Sequence, residues 1–163
     1  MSISGTSTVE GEAMKSIKFS IPGQPMGKQR PRVVHNGSFS KAFTPKETVT
    51  YENLVRVMYQ EAAKGKRFAD GDMLDVRIIV YYGIPKSTSK KKRKMMLEHK
   101  IRPTKKPDWD NVGKIICDSL NMVAYHDDSS IVDAQVRKFY SENPRVDVTI
   151  GELIREKFRR NYE

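Results

Sequence analysis

Met73–Ile84 reads MLDVRIIVYYGI, and the fold turns on it. Leu74, Val76, Ile78, Val80 and Tyr82 recur at every second position. That spacing is the mark of a strand with one face on a core. Ile79 and Tyr81 make the opposite face partly apolar too. A strand apolar on both faces belongs inside a sheet, with cover on both sides. The stretch therefore predicts a central strand, and the rest of the chain should supply its neighbours and its cover.

Upstream, SIKFSI alternates, with Ile17, Phe19 and Ile21 on one face, and predicts a first strand. The proline- and glycine-rich PGQPMGKQRPRV after it predicts a loop bearing Lys28, Arg30 and Arg32. An Asn-Gly pair inside VVHNGSFSKAF predicts a hairpin. TPKE then predicts a helix start, with Thr44 as cap, Pro45 in the first turn and Glu47 closing a capping box. Leu54, Val55, Met58 and Ala62 are its expected buried stripe.

Downstream, PKSTSKKKRKMMLEHK predicts a capped, strongly basic helix. NVGKIICDSLNMV predicts a second, with Val112, Ile115, Ile116 and Leu120 facing the core. AYHDDSS reads as a turn, IVDAQVRKFYS and RVDVTI as an antiparallel hairpin about ENP, and GELIREKFRRNYE as a terminal helix. Strands and helices mix without a regular βαβ repeat. The fold class expected is α+β, a single domain with a mixed sheet flanked by helices. The expected division is a disordered polar leader over 1–14 and one domain over 15–163. Met14 is a possible alternative start.

The 163 residues are enough for one self-sufficient core. The longest apolar run is far short of a membrane span, and the first residues lack the pattern of a signal peptide. Cys117 is the sole cysteine, which excludes an intrachain disulfide and a cysteine-based zinc cage and suits the cytosol. Its apolar neighbours favour a packed thiol over a nucleophile. His35, His99 and His126 match no zinc spacing, no glycine-rich phosphate loop is present, and the serines have no evident histidine partner.

The formal net charge of +10 points to a polyanionic partner, and its distribution says more. From Lys86 to Lys106 there are ten Lys or Arg, among them Lys90, Lys91, Lys92, Arg93, Lys105 and Lys106, against Glu98 alone. From Pro107 to Asp133 there are six aspartates against Lys114 alone. Bare carboxylates beside a phosphate-binding surface are a liability unless a divalent cation neutralises them. Asp108 and Asp110, two apart, share a side in extended backbone and are candidate ligands for one hard cation. Capping the next helix from Asp110 or Asn111 is the plainer reading for one of them. Asp110, Lys114 and Asp118 stand on one helix face, as a salt-bridge ladder or as carboxylates with a phosphate-steadying ammonium among them. Asp127 and Asp128 are turn residues taken alone. Folded back beside Asp108 and Asp110, they would complete a site for Mg2+. Trp109, between the two aspartates, is expected to anchor the loop in the core in preference to stacking on a base.

KPDWDNVGK, CDSLN and HDDSSIVD, with PGQPMGKQRPRV and IPKSTSKKKR upstream in the same order, resemble the RusA-type Holliday junction resolvases. The resemblance runs from about Lys15 to about Ile150. It implies a RusA-like fold and a Mg2+-dependent endodeoxyribonuclease, with Mn2+ as a possible substitute. It implies a homodimer that resolves four-way DNA junctions by paired symmetric nicks in recombination and repair, in the cytoplasm of a bacterium or encoded by a phage or prophage. It assigns Asp108, Asp110 and Asp128 as catalytic, metal-binding aspartates, with Asp127 as an alternative ligand, and Lys114 as the essential lysine. Asp118 matches a further acidic position. Trp109 stands where the family usually has an aliphatic residue, and the tail after Gly151 has no family role. Lys28, Arg30, Arg32, Lys90, Lys91, Lys92, Arg93, Lys105 and Lys106 are the expected DNA contacts. The alternatives are a metal-dependent nuclease for flaps, forks or RNA, and a non-catalytic basic DNA-binding protein.

Overall fold

The computed structural model describes residues 16–153. The expected leader, and the expected terminal helix beyond residue 153, lie outside them. Four strands form a mixed sheet in the order β1-β6-β4-β5, where β1 is Ser16–Pro22, β4 Leu74–Gly83, β5 Ile131–Ser141 and β6 Arg145–Glu152. A separate hairpin joins β2, Arg32–Asn36, to β3, Phe39–Phe43. The helices are α1, Lys46–Ala63, α2, Lys90–Leu97, and α3, Trp109–Ser119. The α+β domain expected from the sequence is the one observed.

Strand β4 is central and alternates strictly, with Leu74, Val76, Ile78, Val80 and Tyr82 all buried. Its buried face meets those of β1 and β6, and helices α1 and α3 lie over the sheet. The other face differs from the expected full cover. Asp75, Arg77 and Asp133 pair there, and Arg145 lies 4.0 Å from the centre of the Tyr81 ring. Ile79 and Tyr81 are half-buried because the stems and planes of these long cations shield them.

The predicted β5–β6 hairpin does not form. Strand β4 lies between the two, parallel to β5 and antiparallel to β6. Next-nearest strands are about 10 Å apart. The step from Ser141 to Arg145 has four Cα–Cα links, a reach of about 13 Å, so a three-residue corner spans the gap. Arg145 braces it by donating to the Asn143 carbonyl at 3.1 Å.

Helix α1 starts one residue later than predicted. Pro45 holds the cap position, and no side chain caps the helix. Its buried stripe is Thr48, Tyr51, Val55, Tyr59 and Ala63, while Leu54 and Met58 are half-buried and Ala62 is exposed. The tyrosines carry the stripe because each buries a large ring. Tyr59 packs edge-on against Phe19 at 5.6 Å and donates to the Lys66 carbonyl. Helix α2 is capped as its sequence predicts, with Ser89 accepting from the Lys92 amide. Gly151 and Glu152, assigned to a terminal helix, instead end β6, because β1 and β4 both pair with it there.

Candidate active site

Parallel strands cannot be joined by a tight turn, so β4 reaches β5 through a crossover that contains α2 and α3. The crossover carries nearly all the candidate site. The four α3 residues predicted to face the core, Val112, Ile115, Ile116 and Leu120, are fully buried. Each is worth roughly 1.5–3 kcal/mol in burial, which fixes the roll of the helix and sends its polar face outward.

The start of α3 is held at the C-terminal end of the parallel pair. Tyr82, near the end of β4, donates to the Pro107 carbonyl at 2.5 Å. Lys138 of β5 donates to the Lys105 carbonyl at 2.7 Å. The Lys106–Pro107 peptide is cis. In open α/β sheets this end of the strands is where ligands bind. Asp108 takes the N-cap position, yet its side chain makes no capping hydrogen bond. Its carboxylate acts on its neighbours instead. Burial and then the Asp108 charge push the Tyr82 phenol up to about 12, and Asp108 opposes the lowering that burial imposes on Lys138.

Asp108 is extended and Asp110 lies inside the first helical turn, so the shared-side argument for extended backbone does not apply to them. Both stand at a helix N-terminus, where free amides favour negative charge. The cap falls at Asp108, two residues before the earlier expected position, Asp110. Trp109 between them is 63% exposed, against the expected anchoring role. As the first helical residue it projects one turn ahead of Val112, where the buried stripe begins.

One turn on is Lys114, and one turn beyond it Asp118, with their charged atoms 3.8 Å apart. Asp128 lies against Asp118. Burial first, and then the hydrogen-bonded Asp118 carboxyl, raise Asp128 above its ordinary value, while Lys114 pulls the other way. The backbone amide of Asp128 donates to Asn121 Oδ1 at 2.9 Å, which holds the turn in place. Asp127 is spent on local structure. It caps the short 3-10 turn Asp128–Ser130 by accepting from the Ser129 amide, and the Ser129 side chain first, then that amide, lower its pKa.

Lys28, an expected phosphate contact, turns inward. Its ammonium lies 2.5 Å from Glu52 of α1 and 3.7 Å from Asp118. The Lys28 amide donates to the Asn111 carbonyl at 3.1 Å, and Gly27 sits so close that a Cβ there would lie 2.9 Å from Pro107 Cβ. A polar cleft of about 450 Å3 opens here, lined by Lys28, Gln29, Lys106, Asp108 and Asn111 among others. Arg30, Arg32, Lys90, Lys91, Lys92, Lys105 and Lys106 are exposed, and Arg93 pairs with Glu142 at 2.6 Å.

The fold thus gathers Lys114, Asp118, Asp128, Lys28 and Glu52 at one place, with Asp108 and Asp110 at the head of the same helix. Asp110 and Asp118 are two turns apart, about 12 Å along the axis. Among the described residues, no three His, Cys, Asp or Glu converge tightly enough to hold an ion by themselves. The donors are nonetheless the hard oxygens that Mg2+ takes, and Mg2+ keeps several waters. Two carboxyls pressed together at Asp118 and Asp128 suit a divalent cation. Glu52, Lys138 and Asn121 escaped sequence reasoning, because no local pattern marks a residue whose partner is far along the chain. Cys117 is no nucleophile, since burial, followed by the Asp128 charge, pushes its thiol up to about 11.

An α+β domain with carboxylates and a lysine along one exposed helix of a basic crossover suits a phosphodiester-cleaving class of protein. Residues 22–151 match the family model described as endodeoxyribonuclease RusA, and the chain belongs to that family. Its members hydrolyse DNA internally, and the resemblance drawn from the motifs is borne out. The chain is also similar to the uncharacterized protein YqaN of Bacillus subtilis strain 168, at 38% identity over 143 residues, covering 86% of this chain and 99% of that protein. Among the described residues no helix is long and apolar enough to cross a membrane.

Proposed function

We propose that this chain, through a domain over 15–163, resolves four-way DNA junctions by paired nicks that depend on Mg2+, with Mn2+ as a substitute, in recombination and repair. The observation that carries the proposal is the Asp118–Asp128 carboxyl pair beside Lys114, in a member of an endodeoxyribonuclease family. Asp108, Asp110 and Asp128 are the residues that would hold the metal, with Asp118 beside Asp128 as a further carboxylate. Asp127, engaged in its turn, is the weaker candidate. A divalent ion there would supply a water of lowered pKa and charge to steady the departing oxygen.

The chain's own groups do the rest. Lys114 is 61% exposed at its side chain and is within reach of a phosphate lying along α3. Its ammonium offsets charge that builds on the phosphoryl oxygens. Lys28 fixes Asp118 and ties the loop to α1 through Glu52. Arg30, Arg32, Lys90, Lys91, Lys92, Lys105 and Lys106 hold phosphates, so binding weakens steeply with salt. A two-fold homodimer in the cytoplasm of a bacterium or of a phage host suits a two-fold junction.

Labelled four-way junctions, flaps, forks, plain duplex and RNA hairpins, each incubated with and without Mg2+, test the substrate. Paired symmetric nicks confined to four-way junctions are expected. Preferred cutting of flaps or forks would replace the junction with another branched DNA. Tight binding with no cutting of any substrate would leave a DNA-binding protein.

A further inference from the structure

The β2–β3 hairpin packs on no other helix or strand extensively, and every residue of both strands is exposed. Its register sorts the side chains into two faces. Arg32 pairs with Phe43, Val34 with Lys41 and Asn36 with Phe39. Directly paired residues share a face, so one face carries two phenylalanines and a valine interleaved with two cations. The other holds Val33, Ala42, His35 and Ser40. Phe39 is 80% exposed and Phe43 43% exposed. An isolated two-stranded hairpin is at best marginally stable in water, and exposed aromatics in a row mark a binding surface.

Charge selects the occupant. From Arg30 to Lys46 the chain carries Arg30, Arg32, Lys41 and Lys46 and no acid. A second copy would set these cations against the same cations. A polyanion neutralises them. Phe39 and Phe43 are four residues apart on one strand, about 13 Å, with Lys41 between them. Aromatic platforms with a cation between them are how proteins hold unpaired bases along a sugar–phosphate backbone. Gly27, pinned against Pro107 and Asn111, lies five residues from Arg32. The base of the hairpin is thus within about 17 Å of the start of α3, the length of five base-pair steps.

We propose that the Phe39–Lys41–Phe43 face docks nucleic acid, with the two rings stacking on bases that unpair at a branch when the protein binds and Lys41 holding the phosphate between them. The inference rests on the branched-DNA reading above. The test uses the full chain and a four-way junction carrying 2-aminopurine at the crossover, beside a plain duplex of equal length, over a salt series. The double variant Phe39→Ala/Phe43→Ala should bind the junction about tenfold more weakly and lose the 2-aminopurine response. Its duplex affinity and salt slope should stay as in the wild type. Lys41→Ala should lower the salt slope by roughly one phosphate contact. Phe39→Trp gives a second readout that needs no truncation, since branched DNA should quench its added emission. Wild-type junction affinity in the double variant, or no added quenching in Phe39→Trp, overturns the proposal. So does a dimer that falls to monomers in light scattering while DNA affinity is kept, which marks the face as a contact between copies. Junction cutting at the wild-type rate and affinity by the double variant removes the docking face and leaves the nuclease standing. A wild-type chain that neither binds nor cuts branched DNA removes both.

Discussion

At the scale of single residues, the account rests on charges kept close together at a cost. Burial, and then the neighbouring Asp118 carboxyl, raise Asp128 above its ordinary value, so the pair favours a proton or a cation beside it. Asp128→Asn relieves that repulsion. In metal-free buffer it should raise the melting temperature by about 1–3 °C while abolishing cleavage, as differential scanning calorimetry and a nicking assay would report together. A lower melting temperature would mean that the pair stabilises the fold and owes nothing to a metal. Lys114 makes a single ion pair on an exposed helix face, worth only a few tenths of a kcal/mol to folding. Lys114→Ala should therefore leave stability alone and slow single-turnover cleavage by about 100-fold, with junction affinity changed less than threefold. Equal losses in rate and affinity would reduce Lys114 to a phosphate contact.

At the scale of elements, legibility followed the range of the forces involved. The buried faces of β1, β4 and α3 were readable because period and burial are local. The start of α3 was misread because Asp108, Asp110 and Asn111 all suit a cap, and the choice fell to contacts with Tyr82 and Gly27. The α1 stripe departs from the aliphatic pattern because Tyr51 and Tyr59 supply most of its buried surface. The separation of β5 from β6 was unreadable, since a three-residue corner fits adjacent strands and, at full stretch, also a strand between them. Glu52 was invisible because its partner, Lys28, lies 24 residues away in the loop before the hairpin. The loop that delivers Lys28 depends on a missing side chain. Gly27→Ala would bring a Cβ within 2.9 Å of Pro107 and 3.1 Å of Asn111. The loop should lift from α3, and cleavage should fall about tenfold with the thermal midpoint almost unchanged. Unimpaired cleavage in that variant would show that the loop's seat on α3 is dispensable.

At the scale of the whole molecule, the sheet order sets the head of α3 at the C-terminal end of a parallel strand pair and leaves its polar face in solvent. The core beneath it should weaken in alkali. Burial pushes the Tyr59 phenol up to about 12, whereas in the unfolded chain it ionises near 10. Between those values the folded state holds a proton that the unfolded state has lost, so stability present below pH 10 drains away as the pH rises through about 12. Urea midpoints taken from pH 9 to 11.5 should fall, and Tyr59→Phe should flatten the decline from a lower start, having lost the bond to Lys66. A decline as steep as in the wild type would assign the alkaline loss to other groups. The central claim is that the carboxylates along α3 cut DNA and do not merely sit beside it. Single-turnover cleavage and binding of one four-way junction, measured in Mg2+ for the wild type and Asp110→Asn, test that claim most directly. The account predicts that Asp110→Asn binds within about twofold of the wild type and cuts at least about 100-fold more slowly. Cleavage by Asp110→Asn at the wild-type rate would contradict it.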